Sequence, residues 1–340
     1  MDLDHRLGHQ VDPADVVTLS RWAEDMGFRS LWGSESTTDP FLPIAHAAPV
    51  STTLELGTGI AVAFGRTPYA TAQSAWYLHR ISNGRFVLGL GTQVRAHIER
   101  RFGTTWHGAG KPLVDYIACC REIWAAWAED RQPHHQGPWF RCTLTNPEFA
   151  PMPLPEGAAP IPVWFAAVGP TLVRTLAPVC EGIQVHAFHT PAYLRDVLLP
   201  AAREARAAAG VEGAMRLSSP SMAGVVHDDT QERELRDYYR GIIAFYGSTP
   251  SYAPVLASVG YEDLQPRLHE LSRAKRWDEM ATLVPDDLVD TFVTLGDGAH
   301  VGHTLKQRYE GLLTQCSLYR LGDRFMDDDD WEALVSAARS

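Results

Sequence analysis

In this 340-residue chain, the residues able to do chemistry gather at the ends of short apolar runs. Ser34-Glu35 closes FRSLWGS, and Gly57-Thr58-Gly59-Ile60 lies inside LELGTGIAVAF. Gly91-Thr92-Gln93 closes RFVLGLG, Val168-Gly169-Pro170-Thr171 follows IPVWFAAV, and His186 closes the run after that. His186 is the candidate general acid/base, because only histidine titrates near neutral pH unperturbed. The competing reading makes it a hydrogen-bonded wall residue. The Val168–Thr171 turn leaves backbone N–H groups at a helix start, which holds a phosphate without a basic side chain. The alternative there is a plain tight turn. Arg95, Arg100 and Arg101 are further candidates for anionic groups, against the reading that they are solvated or ion-paired at the surface.

Other chemistries find no support. The chain has no HExxH, no P-loop and no GxSxG elbow. Gly89-Leu90-Gly91 lacks the third glycine of a dinucleotide fingerprint. His134-His135, His186/His189 and His300/His303 come without a matching cysteine or acid cluster, so no metal site is expected.

These strand ends need elements to position them. Strand-like runs occupy 28–34, 54–64, 85–91, 161–168, 183–188, 216–227 and 313–321, and residues 1–8 supply a weaker first one. Helix-spaced segments alternate with them. Asp12 is the expected N-cap of the first helix and Gly27 its C′ residue; Asn83-Gly84 stops another. Eight such units predict a (β/α)₈ TIM barrel, in which polar and glycine residues at strand C-termini face the pocket. The excess length falls into insertions at about 103–160 and 247–300, expected to build the rim of one barrel domain spanning 1–340. Trp106, Trp139, Phe140, Tyr252 and Trp277 in these insertions suit either a bulky apolar ligand or the insertions' own packing. The run Asp327–Asp330 reads as the first turn of the last helix.

Composition narrows the class. Forty-one acidic against 30 basic residues give a net charge of −11, which argues against nucleic acid and anionic membrane as partners. The N-terminus has neither a basic nor an apolar leader, and no run approaches a membrane span. Five cysteines without a CxxC pair suit a reduced, cytoplasmic protein.

The stretches DPFLPIAHAA, LELGTGIAVAFGRTP, ISNGRFVLGLGTQVRAHIERRFG, GIQVHAFHTPAYLRDVLLPAA and IAFYGSTPSYAPVL add a resemblance. With them the chain resembles, over nearly its whole length, the luciferase-like flavin and deazaflavin oxidoreductases, in particular the subgroup using coenzyme F420. The resemblance implies a barrel, commonly homodimeric, with a deazaflavin or flavin ring at the C-terminal mouth. It implies a non-prolyl cis peptide at Gly59–Ile60 supporting the ring, and the coenzyme's phosphate on Val168, Gly169 and Pro170. Thr92 and Gln93 match positions beside the coenzyme. Glu35 matches an acidic position near the ring, where burial raises a carboxyl pKa. His186 matches a polar position on the next strand. Two features depart from the family pattern: the loop Glu35-Ser36-Thr37-Thr38 holds no histidine, and the stretch Thr92-Gln93-Val94-Arg95 holds no carboxylate. The usual acid/base is therefore missing, with His186, Glu35 or a loop residue left to replace it.

The expected activity is hydride transfer between F420 and a small organic substrate, the coenzyme carrying the redox chemistry. One alternative is an FMN-dependent monooxygenase on the same barrel. The other is a barrel repurposed for cofactor-free catalysis or small-molecule binding.

Overall fold

A computed structural model describes residues 1–8 and 11–340. Eight parallel strands close on themselves: β1 (Asp2–Arg6), β2 (Ser30–Gly33), β3 (Glu55–Thr58), β4 (Phe86–Gly91), β5 (Val163–Ala167), β6 (Gly182–Val185), β7 (Arg216–Ser221) and β8 (Gln315–Leu318). Each pairs with its sequence neighbours, and β8 returns to β1 with Gln315 beside Asp2. The fold is a (β/α)₈ barrel. Among the described residues no helix is long and apolar enough to cross a membrane.

Side chains alternate across each strand. Leu31, Leu56, Phe86, Leu88, Phe165 and Ile183 are fully buried and belong to the main core. Trp32, Val87 and Trp164 form a separate cluster with the opposite parity, inside the barrel. Glycines clear the space for them: a Cβ at Gly57 would lie 2.3 Å from the Trp32 ring, and one at Gly182 would lie 2.3 Å from Trp164.

Several other inward positions are polar. Glu55 accepts from Ser30 Oγ at 3.2 Å and from Arg216 Nη1 at 2.6 Å. Asp4 accepts from Ser218 Oγ at 2.6 Å and Gln315 Nε2 at 2.7 Å. Burial outweighs these bonds and the nearby Arg6, pushing the Asp4 carboxyl up to about 6.

Local signals acted largely as read. Gly27 (φ +82°) ends helix Val16–Asp25, with Phe28 N–H on Ala23 O and Gly27 N–H on Glu24 O, the paired bonds of a Schellman end. Asp327 and Asp330 make a reciprocal capping box on helix Asp328–Arg339. Three readings need correction. Asp12 does not cap the first helix, which starts at Val16; its carboxylate accepts from Ala14 N–H in a preceding turn. The run 54–64 is not one strand, because it breaks at Gly59–Ile60 and resumes only at Ala61–Val62. The run 216–227 splits at Met222, and Ala223–Val225 leaves the barrel to pair with Thr294–Gly296.

The long segments also sort differently. Helix Gly110–Ala128 is the barrel's own fourth helix. The chain after it lies along helix Pro68–Ile81, where Trp76 Nε1 donates to Met152 O and Tyr69 Oη to Phe149 O. It also forms a small hairpin whose Trp139 and Phe140 N–H groups donate to Asp115. Segment 247–300 reaches the barrel mouth through Tyr252. Trp106 packs on Phe64, Phe140 on Tyr116 and Trp277 on Phe245, so those aromatics cover their own neighbours.

Candidate functional site

A cavity of about 840 Å³ opens at the C-terminal end of the barrel. Its polar lining includes Arg6, Ser34, Ser317, Tyr319 and Arg320 together with the carboxylates of Asp4, Asp323 and Asp328, and Gly59 adds backbone. Leu7, Val11, Leu19, Pro220 and Leu318 contribute an apolar part, and the cavity continues past β1 toward Trp22 and Trp331.

Gly59, at the break in β3, is part of its lining, whereas Ile60, Thr92, Gln93 and the turn Val168-Gly169-Pro170 are not. Gly59–Ile60 is a cis peptide bond, as the family resemblance implied. The backbone around it is closely held. Gly59 O accepts from Ser34 Oγ at 2.9 Å and Arg6 Nη1 at 3.3 Å. Gly59 N–H donates to Gly33 O at 2.7 Å, and Glu35 N–H donates to Ile60 O at 3.2 Å. Thr58 Oγ1 donates to Gly89 O at 2.7 Å and accepts from Gly89 N–H at 2.9 Å, bridging β3 to β4 where the ladder ends. Arg6 also donates to Ser317 Oγ and Gln184 Oε1 at 3.0 and 3.1 Å. Gly91 provides room: a Cβ there would meet the Ile60 side chain at 2.5 Å.

Glu35 lies beside this break with its side chain 7% exposed, and its carboxylate is engaged. Oε2 accepts from Val62 N–H and from Arg66 Nη1, the latter at 2.7 Å. Arg66 in turn pairs with Asp39 at 2.7 Å. A buried carboxylate engaged by an arginine and a backbone N–H is held in one geometry, which suits a brace.

Thr92 is half-buried, and Gln93 is exposed with φ +56°, a left-handed turn after β4. Past them, Arg95 pairs with Glu99 at 2.9 Å on the surface, and Arg101 donates to Ser36 O at 2.7 Å, tying two loops together. Gly169 is the N-cap of helix Pro170–Leu176, no side chain caps that end, and nothing lies within 4 Å of where its Cβ would be. Val168 O accepts from Tyr193 Oη at 2.7 Å, which fixes the turn.

His186 sits just past β6 with its ring edge on Tyr246 (centroids 4.5 Å apart) and Tyr252 at 5.1 Å. Its Nδ1 accepts from Phe188 N–H at 3.1 Å, so the proton of the neutral ring is on Nε2. Burial, with neighbouring His189 and Arg320, brings its pKa down to about 4. At neutral pH it is an uncharged donor. The cavity lining among the described residues does not include His186; Tyr319 and Arg320 line it instead. Among the described residues no three His, Cys, Asp or Glu side chains gather as a metal site.

Reading strand ends alone missed Arg6, Gln184, Tyr246, Tyr319 and Arg320. The signal for the first two was present: charged or amide residues at every second position of otherwise apolar strands mark a polar barrel interior.

The model of the family described as luciferase-like monooxygenase matches residues 1–315. The chain belongs to that family. An uncharacterized protein of Mycobacterium tuberculosis is 37% identical over 315 residues, covering 92% of this chain and 91% of that protein. A second M. tuberculosis protein, whose name proposes a coenzyme F420-dependent oxidoreductase, is 28% identical over 331 residues (88% and 91%). Among solved structures, the coenzyme F420-dependent tetrahydromethanopterin reductase of Methanopyrus kandleri superposes with a TM-score of 0.77 at 20% identity (98% and 96%). The FMN complex of a type II Baeyer–Villiger monooxygenase from Pseudomonas putida superposes at 0.68 and 15% (99% and 96%). The solved structures show the same barrel fold over nearly the whole chain.

Proposed function

We propose that the protein is a coenzyme F420-dependent oxidoreductase that moves a hydride between the deazaflavin and a small organic substrate. The observation that carries this reading is the similarity, over 88% of this chain, to a relative named for F420, beside a cavity at the barrel mouth that Gly59 helps to line. In this reading a planar ring would lie near Gly59, where Gly91 leaves room for the Ile60 side chain. The coenzyme's phosphate suits the turn Val168-Gly169-Pro170, whose helix start has open space and no capping side chain. Thr92 and Gln93 would flank the coenzyme on the β4 side.

When bound, the deazaflavin supplies the hydride chemistry. The chain's residues supply position, exclusion of water and hydrogen bonds. Glu35, in this reading, holds the ring support rigid through Arg66 and Val62. His186, outside the cavity lining, packs against Tyr246 and Tyr252 on the β6 side. The catalytic unit in this proposal is a homodimer acting on a small molecule.

The test is a titration of purified protein with F420 and with FMN, each followed by its own fluorescence. Binding of F420 with at least tenfold preference supports the reading. Tight binding of FMN alone would overturn it in favour of a monooxygenase. Binding of neither would favour a barrel that works without a coenzyme.

A further inference from the structure

We propose that Tyr319 is the hydrogen-bond and proton donor to a carbonyl oxygen of the substrate, with Tyr246 and Arg320 as its positioning residues. The proposal rests on the oxidoreductase reading above and fills the place of the missing acid.

Tyr319 leaves β8 where the barrel opens, and it lines the cavity. Its phenol oxygen accepts from Arg320 Nε at 2.6 Å and lies 2.5 Å from Tyr246 Oη. The Arg320 guanidinium also lies 5.2 Å from the centroid of the Tyr319 ring. A guanidinium can only donate, so Tyr319 is the acceptor in that bond. The two phenols carry two protons and share one hydrogen bond, which leaves one hydroxyl proton over. Tyr319 is the phenol facing the cavity. When an acceptor docks against it, Tyr246 donates to Tyr319 and Tyr319 donates onward.

The electrostatics agree with a donor. Burial, followed by the adjacent Tyr246, pushes the Tyr319 phenol up, while Arg320 opposes them. The phenol therefore keeps its proton at neutral pH. Arg320 makes no carboxylate ion pair among the described residues, so its charge is available to negative charge developing nearby. It holds this place at φ +53°, a left-handed conformation that glycine adopts freely and other residues at a cost. Glycine would lack the side chain that reaches Tyr319.

The step balances. A bound reduced coenzyme would supply the hydride to the carbonyl carbon, and the C=O π pair would then move to oxygen. The Tyr319 O–H bond breaks, and its proton joins that oxygen to give an alcohol. The Tyr246 proton follows to Tyr319, and water restores Tyr246. The apolar part of the lining, Leu7, Val11, Leu19, Pro220 and Leu318, selects a ketone or aldehyde with an apolar body.

The test needs no turnover. The full chain is titrated with three carbon-13-labelled ketones, cyclohexanone, acetophenone and 2-decanone, and the bound carbonyl resonance is read by NMR. A hydrogen bond to the carbonyl oxygen moves that resonance downfield. The expected result is binding of at least one ketone with a downfield shift. Tyr319→Phe should lose the shift and bind about tenfold more weakly, with an unchanged unfolding midpoint. Arg320→Leu should shrink the shift, and Arg320→Lys should restore part of it. Binding of none of the three, or a shift that persists in Tyr319→Phe, would overturn the proposal. F420 titration of the same samples separates the two failures: loss of coenzyme binding defeats the oxidoreductase reading, whereas the carbonyl shift tests Tyr319 by itself.

Discussion

Two sides of the barrel mouth handle charge in opposite ways. On the β2–β3 side, Glu35, Arg66 and Asp39 are linked by ion pairs of 2.7 Å, and Val62 N–H adds to Glu35. On the β6–β8 side, His186 and His189 are held neutral by burial, and Arg320 meets phenols rather than carboxylates. The first arrangement satisfies its charges internally and can only hold shape. The second keeps protons on neutral donors and leaves a cation beside the cavity. The difference teaches that an acidic residue at a strand end need not be the acid of the reaction. What its neighbours have already bound decides what it can still do.

The comparison breaks most readily at Arg66. Arg66→Met should strand the Glu35 carboxylate and cost about 3–5 kcal/mol in denaturant unfolding. An unchanged midpoint would mean that the β2–β3 side is not a brace.

Next in size is a pH effect from a neutral histidine outside both sides. His5 packs against Trp22, Phe28 and Trp331, and burial brings it down to about 4 from 6.5. Its folded pKa lies below the unfolded one, so the unfolded chain binds the proton first. The wild type should lose stability as pH falls from about 6.5 through 4, by about 3 kcal/mol across that window. His5→Phe should abolish that share of the loss in a series of unfolding curves. Asp4 acts with the opposite sign. Its raised pKa makes its contribution largest in acid and lost as pH rises from about 4 through 6, and Asp4→Asn should flatten that limb.

A smaller effect sharpens the phosphate turn. Gly169→Asp should cap its helix with a carboxylate and weaken F420 binding about tenfold, close to 1.4 kcal/mol, with little change in unfolding. Smallest of all, Arg95→Ala should change stability by less than about 0.5 kcal/mol, because its pair with Glu99 is solvent-exposed. Calorimetry and a coenzyme titration check both variants.

Much of the barrel was readable because its strands are short apolar runs and its helices have separate start and stop residues. Gly27 and the Asp327–Asp330 run worked as read because caps are contacts within a few residues. The split of 216–227 was not readable: nothing in Ala223–Val225 announces a partner at Thr294–Gly296, about seventy residues away in the chain. Glu35 was visible as an acid at a strand end, but Arg66, which occupies it, is 31 residues further on. Tyr246 and Tyr319 are 73 residues apart, and no spacing rule links a helix end to the exit of the last strand.

By itself the sequence determined the alternation of strands and helices, the glycines at β3 and β4, and the uncapped start at Gly169. Those are local consequences of backbone sterics and of the periodicity of apolar side chains. Only the tertiary structure decided which polar groups meet. Closing the barrel brought Arg6 to Gly59 O, Arg66 to Glu35, and Arg320 and Tyr246 to the Tyr319 phenol. Hydrogen bonds and burial act at contact range, so whether a side chain is spent on structure or left for chemistry is settled only when the chain has folded.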